Sequence, residues 1–234
     1  MEEFLLKYYL PLTHGVELLA ALTGVIFYRK YKYSNAKYFI YFLVFIALAE
    51  LLAGYTHFIH ENGIFSFLRG TVFQRNYWWG TLYWSLGGIM FYSYYFFRII
   101  KTKRFVLVLK LSRYFYLIFF FVYIFFNWND YFIKPFPLID ILGAIIIFLC
   151  AIFYFIEILK SEVVLTFYKS LNFYIATSIF IWWLIITPIV FFNVYFRHVD
   201  WNFIFLKWQI YLFANICMYL TFTFALIWCK PEND

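Results

Sequence analysis

Charged residues are scarce in this chain: Asp, Glu, Lys and Arg make up 13% of its 234 residues, whereas soluble domains carry about 25%. Hydrophobic residues make up 66% and aromatic residues 29%. The missing charge excludes an ordinary soluble domain. Apolar runs of about 20 residues have the length at which a helix crosses a hydrocarbon layer of about 30 Å. The composition therefore predicts a protein whose main partner is the lipid bilayer.

Paired cysteines and the common catalytic motifs are also lacking. The three cysteines, Cys150, Cys217 and Cys229, have no CxxC spacing, which argues against a disulfide framework and a zinc knuckle. The chain contains no GxxxxGKS/T, GxGxxG, HExxH or GxSxG pattern. We therefore expect no cofactor and no catalytic residue, and an enzyme is the less favoured class.

Seven apolar segments account for nearly the whole chain. They are continuous and do not alternate with a period of two, which is typical of spanning helices and not of a β-barrel. We predict an all-α membrane protein with a single seven-helix transmembrane domain over residues 1–234. Its spans are expected at roughly 9–28, 38–59, 78–98, 114–128, 138–158, 171–196 and 205–228.

The distribution of Lys and Arg over the loops predicts an orientation. About two thirds of the 19 basic residues fall on one side, after the first, third, fifth and seventh spans. Since basic loops remain in the cytoplasm, the N-terminus is expected outside and the C-terminus inside. The basic inner loops are expected to contact anionic lipid headgroups and to offer a surface to a cytoplasmic or membrane protein partner. Nucleic acid is not an expected partner.

Ionisable residues within the first two spans are the strongest candidates for a site, because such groups are costly in lipid. His14 and Glu17 are three residues apart and share a helix face. Glu50 and His57 are seven apart, and we expect them to face the first pair. Three interpretations remain open. The four side chains fix helix packing, they form the polar floor of a ligand pocket, or they bind a metal or haem.

Later spans contribute further polar and aromatic candidates. Trp84, Trp182, Trp183 and Asn215 are expected to complete a cavity with an aromatic wall, although helix-to-helix hydrogen bonding explains each residue singly. Asp140 begins the fifth span, where a carboxylate complements the N-terminus of a helix. The predicted ligand-binding set is therefore His14, Glu17, Glu50, His57, Trp84, Trp182, Trp183 and Asn215.

The last span carries a resemblance to a known family. The run from Lys207 to Asn215, KWQIYLFAN, followed by MYLTF from Met218 to Phe222, resembles a family of seven-helix bacterial inner-membrane proteins of unknown function. The Trp182-Trp183 segment and the first two spans share this resemblance. It implies seven helices and a multi-pass protein of the bacterial inner membrane, and it implies no activity.

Three functions follow as hypotheses. The leading one is a non-enzymatic membrane sensor or accessory subunit that binds a small ligand or lipid in the outer half of the bundle and acts through a partner. The first alternative is a metal- or haem-dependent membrane enzyme that uses His14, Glu17, Glu50 and His57. The second is a transporter or channel subunit, which the lack of a visible internal repeat disfavours.

Overall fold

The structure, a computed structural model, describes residues 2–195 and 201–231. These residues form helices and loops, with no strand among them. Six long helices are α1 Glu2–Ile26, α2 Ala36–Ala53, α4 Lys103–Phe126, α5 Pro137–Leu159, α6 Leu171–Tyr195 and α7 Trp201–Trp228. Between α2 and α4 lies a composite helix, α3, made of Tyr77–Gly80, a π-helical stretch Thr81–Gly88, and Ile89–Ile99. The all-α prediction is confirmed.

Among the residues that the structure describes, six helices have the length and composition that crossing a membrane requires. They are Glu2–Ile26, Ala36–Phe58, Lys103–Phe126, Pro137–Leu159, Leu171–Phe192 and Trp201–Trp228. Large apolar side chains remain exposed on their outer surfaces, among them Leu22, Phe125 and Phe126. Exposed apolar area of this extent is unfavourable in water and ordinary in lipid. The chain is accordingly a multi-pass membrane protein.

Within the described ranges, six helices close into a ring around a central space. α1 packs against α2 and α7, α2 contacts α3, α3 packs against α5, and α6 joins α5 to α7. α4 lies outside this ring against α3 and α5, and it is the least buried of the six apolar helices. We call the end of the bundle where α1 begins the N-terminal end, and the end where α7 finishes the C-terminal end.

The fourth helix begins earlier than the sequence suggested. The predicted span was 114–128 with a basic loop before it, but α4 already begins at Lys103 and ends at Phe126. The backbone N–H groups of Lys101 and Thr102, just before this helix, donate to the carboxylate of Glu157 at 2.7 and 3.1 Å. Lys and Arg tolerate the end of a spanning helix because their long side chains carry the charge toward water. Most of the basic stretch that was expected to be a loop before residue 114 is therefore part of α4.

The C-terminal end is held together by the connection between α1 and α2. The Tyr31 hydroxyl is buried and donates to the carbonyl oxygens of Leu226 at 3.0 Å and Cys229 at 2.9 Å. Lys30 Nζ donates to the carbonyls of Leu226 and Ile227. Carbonyls at the end of a helix lack intrahelical partners, so these contacts cap α7. Burial raises the pKa of Tyr31, which keeps its hydroxyl a donor.

Candidate functional site

A cluster of three ionisable residues joins α1 to α2. His14 and Glu17 lie one turn apart on α1, and His14 Nδ1 is 3.4 Å from Glu17 Oε2. Glu50 approaches them from the last turn of α2. One ligand atom from each of the three side chains lies within 4.8 Å of the other two. His14 and Glu17 therefore lie on one face of α1, as their i, i+3 spacing predicts, and this face is directed toward Glu50.

The π-helical stretch of α3 supplies the next wall. Its Tyr83 hydroxyl donates to Glu50 Oε1 at 2.5 Å. Tyr83, Trp84 and Ser85 all line the same cavity although they are consecutive. The stretch is bordered by Gly80 and ends in Gly87-Gly88, and glycine is a poor helix former. π-helical turns are rare and are frequent at functional sites.

A third carboxylate enters from α5. Ser85 Oγ donates to Asp140 Oδ1 at 2.6 Å, while the backbone oxygen of Ser85 accepts from the buried Tyr116 hydroxyl at 2.5 Å. Asp140 stands in the first turn of α5, which starts at Pro137. The predicted interaction of a carboxylate with the helix N-terminus explains why Asp140 lies at the start of α5. It does not explain the hydrogen bond of Asp140 to Ser85, which belongs to another helix.

Tryptophans of α3 and α6 form a further wall of the cavity. The rings of Trp84 and Trp182 lie 5.2 Å apart, centroid to centroid, and those of Trp182 and Trp183 are separated by the same distance. Trp182 Nε1 donates to Asn215 Oδ1 at 2.7 Å, which ties α6 to α7. Because the tryptophan rings pack edge to face, they present both ring faces and ring edges to the cavity.

These groups enclose one cavity of about 380 Å³ at the N-terminal end of the bundle. Seven of the eight predicted site residues line it: His14, Glu17, Glu50, Trp84, Trp182, Trp183 and Asn215. Toward the C-terminal end the space between the helices is filled by aromatic side chains, with the rings of Phe39 and Phe222 4.9 Å apart. The arrangement is therefore a pocket at one end of the bundle.

His57 stands apart from this cluster. It is exposed and is not part of the cavity wall. The expectation that His57, like Glu50, faces His14 and Glu17 is wrong because α2 ends at Ala53 and the chain continues as a 3₁₀ helix over Gly54–Phe58. A 3₁₀ helix has 3.0 residues per turn and an α-helix 3.6. Over the four residues from Gly54 to His57, the 3₁₀ helix therefore turns about 80° further than an α-helix would. The His57 side chain consequently points away from the cavity.

Other lining residues carried little signal in the sequence. Five tyrosines line the cavity, Tyr9, Tyr77, Tyr83, Tyr211 and Tyr219, but they are five among 23 tyrosines. Asp140 had a usable signal, a carboxylate close to an apolar span, but its place at a helix start offered a simpler explanation. Ser85 gave none beyond its polarity.

The rim of the cavity opens toward the loops of the N-terminal end. A neighbouring depression of about 800 Å³ shares Asn76, Tyr77 and Pro135 with the cavity wall. Two basic side chains line this depression. Lys134 pairs with Asp130 at 2.7 Å, and Arg75 donates to the Ile133 carbonyl at 3.3 Å. The rim therefore provides an entrance whose charges are already engaged.

No protein-family model, curated protein or solved structure matches this chain.

Proposed function

We propose that this chain is a seven-span sensor or accessory subunit that binds a small cationic ligand in the cavity of its outer half. In this proposal α3 is the seventh spanning helix, the N-terminus lies outside, the C-terminus is cytoplasmic, and the membrane is the bacterial inner membrane. The orientation rests on the basic loops, and the membrane rests on the family resemblance. The subunit acts through a protein partner and performs no chemistry of its own.

The observation that carries the proposal is the charge of the cavity wall. Glu17, Glu50 and Asp140 line it, and among the residues that the structure describes His14 contributes the one basic side chain of the wall. Tryptophan faces attract cations within about 6 Å of the ring. Carboxylates beside an aromatic wall are therefore complementary to a positively charged ligand. A volume of about 380 Å³ is at the lower end of ligand sites, which favours a small molecule or ion.

α7 supports the relay to the cytoplasmic side. Tyr211, Asn215 and Tyr219 of this helix line the cavity, and its last carbonyls accept the hydrogen bonds of Lys30 and Tyr31. One continuous helix thus joins the ligand site to the basic connection between α1 and α2. A shift of α7 at the cavity would alter those contacts and the surface offered to a partner.

The packed C-terminal half favours a sensor over the transporter alternative. A transport path has to open to both sides of the membrane, and here the Phe39–Phe222 contact and the buried Tyr31 belong to the packed interior of the C-terminal half. Binding at one end with a relay through α7 needs no such opening.

Ligand binding is tested on the purified protein in detergent by thermal unfolding and tryptophan emission. The probes are hexylamine, tetramethylammonium and zinc chloride, with hexanol as the uncharged control. A ligand at 100 times its Kd stabilises the folded state by about 2.7 kcal/mol. We expect at least one cation to raise the unfolding temperature and hexanol to leave it unchanged.

Two variants locate the effect. The double variant Glu17→Gln, Glu50→Gln should abolish the shift, while Glu61→Gln should retain it, because Glu61 is an exposed loop carboxylate paired with Arg69. If no cation shifts unfolding or emission, or if the double variant responds like the parent, the proposed function is wrong.

A further inference from the structure

We infer that His14, Glu17 and Glu50 form a binding site for a divalent transition-metal ion of the zinc type, an inference that rests on the proposed cation-binding function and names its ligand. The three side chains come from two helices that pack directly against each other. They offer one imidazole nitrogen and two carboxylates, with all three ligand atoms within 4.8 Å of one another. Three protein ligands and an open position are the usual arrangement around an accessible zinc ion.

The separation of the first two donors is compatible with a shared ion. His14 Nδ1 and Glu17 Oε2 are 3.4 Å apart, whereas a charge-assisted hydrogen bond is about 2.7–2.9 Å long. Zinc–nitrogen and zinc–oxygen bonds are about 2.1 Å. Two such bonds at a tetrahedral angle place their donor atoms about 3.4 Å apart.

Thr13 gives an independent indication of a ligand. It precedes His14 on α1, lines the cavity and is 7% exposed. Its hydroxyl is buried and has no hydrogen-bond partner among the residues that the structure describes. An unsatisfied buried polar group is unfavourable by about 1–3 kcal/mol. An ion bound at the cluster would supply the partner that Thr13 lacks.

The surroundings of Glu50 resemble the outer shell of a metal site. Tyr83 donates to Glu50 Oε1 at 2.5 Å, which orients the carboxylate and leaves Oε2 for the ion. Metal-binding carboxylates are commonly held in this way. His14 and Glu17 are fixed by their spacing on one helix, so the site needs no rearrangement of α1.

The donor set selects the class of ion. Imidazole suits zinc, copper, iron and nickel, whereas Mg²⁺ and Ca²⁺ prefer oxygen donors alone. Two carboxylates with a neutral imidazole carry two negative charges, which a divalent ion neutralises inside the bundle. Asp140 and the tryptophan wall, which line the same cavity, are then left to receive a second molecule on the open side of the ion.

The test uses the full-length protein in detergent, stripped of metal and titrated with Zn²⁺ and Co²⁺. We expect one ion per chain, a rise in unfolding temperature that a chelator reverses, and the visible absorption of low-symmetry Co²⁺. His14→Gln and Glu17→Gln should each weaken binding by at least 10-fold, whereas His57→Gln, the matched change at an exposed histidine, should leave it unchanged. His14→Cys should restore binding and add a thiolate-to-cobalt band, which a merely structural role would not produce.

The outcomes separate this inference from the proposed function. Binding of hexylamine or tetramethylammonium without stoichiometric Zn²⁺ or Co²⁺ overturns the metal site and leaves the cation pocket standing. Equal loss of metal in His14→Gln and His57→Gln also overturns it. If neither metal nor organic cations bind, both proposals are wrong.

Discussion

Replacing Gly143 by alanine should destabilise the bundle, because α3 and α5 approach each other closely at this residue. A Cβ atom on Gly143 would lie 2.9 Å from both Cγ1 and Cδ1 of Ile89. Carbon atoms pack best at about 3.5–4.0 Å, so Ile89 has to move by about 0.6 Å or more. Ile89 is 1% exposed and has little space to move into. Overpacking of this kind costs about 1–3 kcal/mol.

The measurement is unfolding of purified protein in mixed micelles as the fraction of denaturing detergent rises. Gly15→Ala is the control, because a Cβ atom there meets nothing within 4 Å, and it should be neutral or slightly stabilising. Ile89→Ala removes both clashing atoms and should cost about 2–5 kcal/mol in the parent. In the Gly143→Ala background it should cost less by about 1–2 kcal/mol, since part of the cavity is then filled.

Additive effects would refute the reasoning. If the free-energy changes of Gly143→Ala and Ile89→Ala sum to within about 0.5 kcal/mol of the double variant, the two residues are not in steric contact. A Gly143→Ala protein as stable as Gly15→Ala would likewise contradict the close approach of α3 and α5.

Two further predictions concern the C-terminal end and the orientation. Tyr31→Phe removes the donor to the Leu226 and Cys229 carbonyls and should lower the free energy of unfolding by about 1–3 kcal/mol. The control Tyr33→Phe, at a residue that is 89% exposed, should be neutral. Equal unfolding curves for the two variants would contradict the capping role. In a background without the native cysteines, Ile64→Cys in the exposed loop after α2 should react with a membrane-impermeant maleimide in intact cells, and Tyr33→Cys only after lysis. The reverse pattern of labelling would invert the proposed topology.

Part of the candidate site could be predicted from local spacing alone. The i, i+3 relation of His14 and Glu17 depends only on helix geometry, and the structure places both on one face of α1. The adjacent Trp182 and Trp183 also reach the cavity. The prediction for His57 required seven residues of regular α-helix after Glu50, and the 3₁₀ helix over Gly54–Phe58 removed that condition. Spacing arguments therefore held within one regular helix and failed where the type of helix changed.

The pairing of groups from different helices was beyond the sequence. Ser85 with Asp140 and Tyr83 with Glu50 join residues that are tens of positions apart. In a soluble protein the apolar face of a helix shows which side faces the core. In a membrane both the lipid-facing and the core-facing sides are apolar, so that signal is weak and helix rotation cannot be read from the pattern.

The sequence by itself determined that this is an all-α membrane protein, because scarce charge and long apolar runs leave the backbone no partner in lipid except its own carbonyls. It also determined that His14 and Glu17 share a face, since helix geometry is local. The tertiary structure alone decided that Glu50, Asp140 and the tryptophan wall meet around one cavity and that His57 does not. The relative rotation and approach of the helices settle these contacts, and they depend on packing at positions such as Gly143 and Ile89.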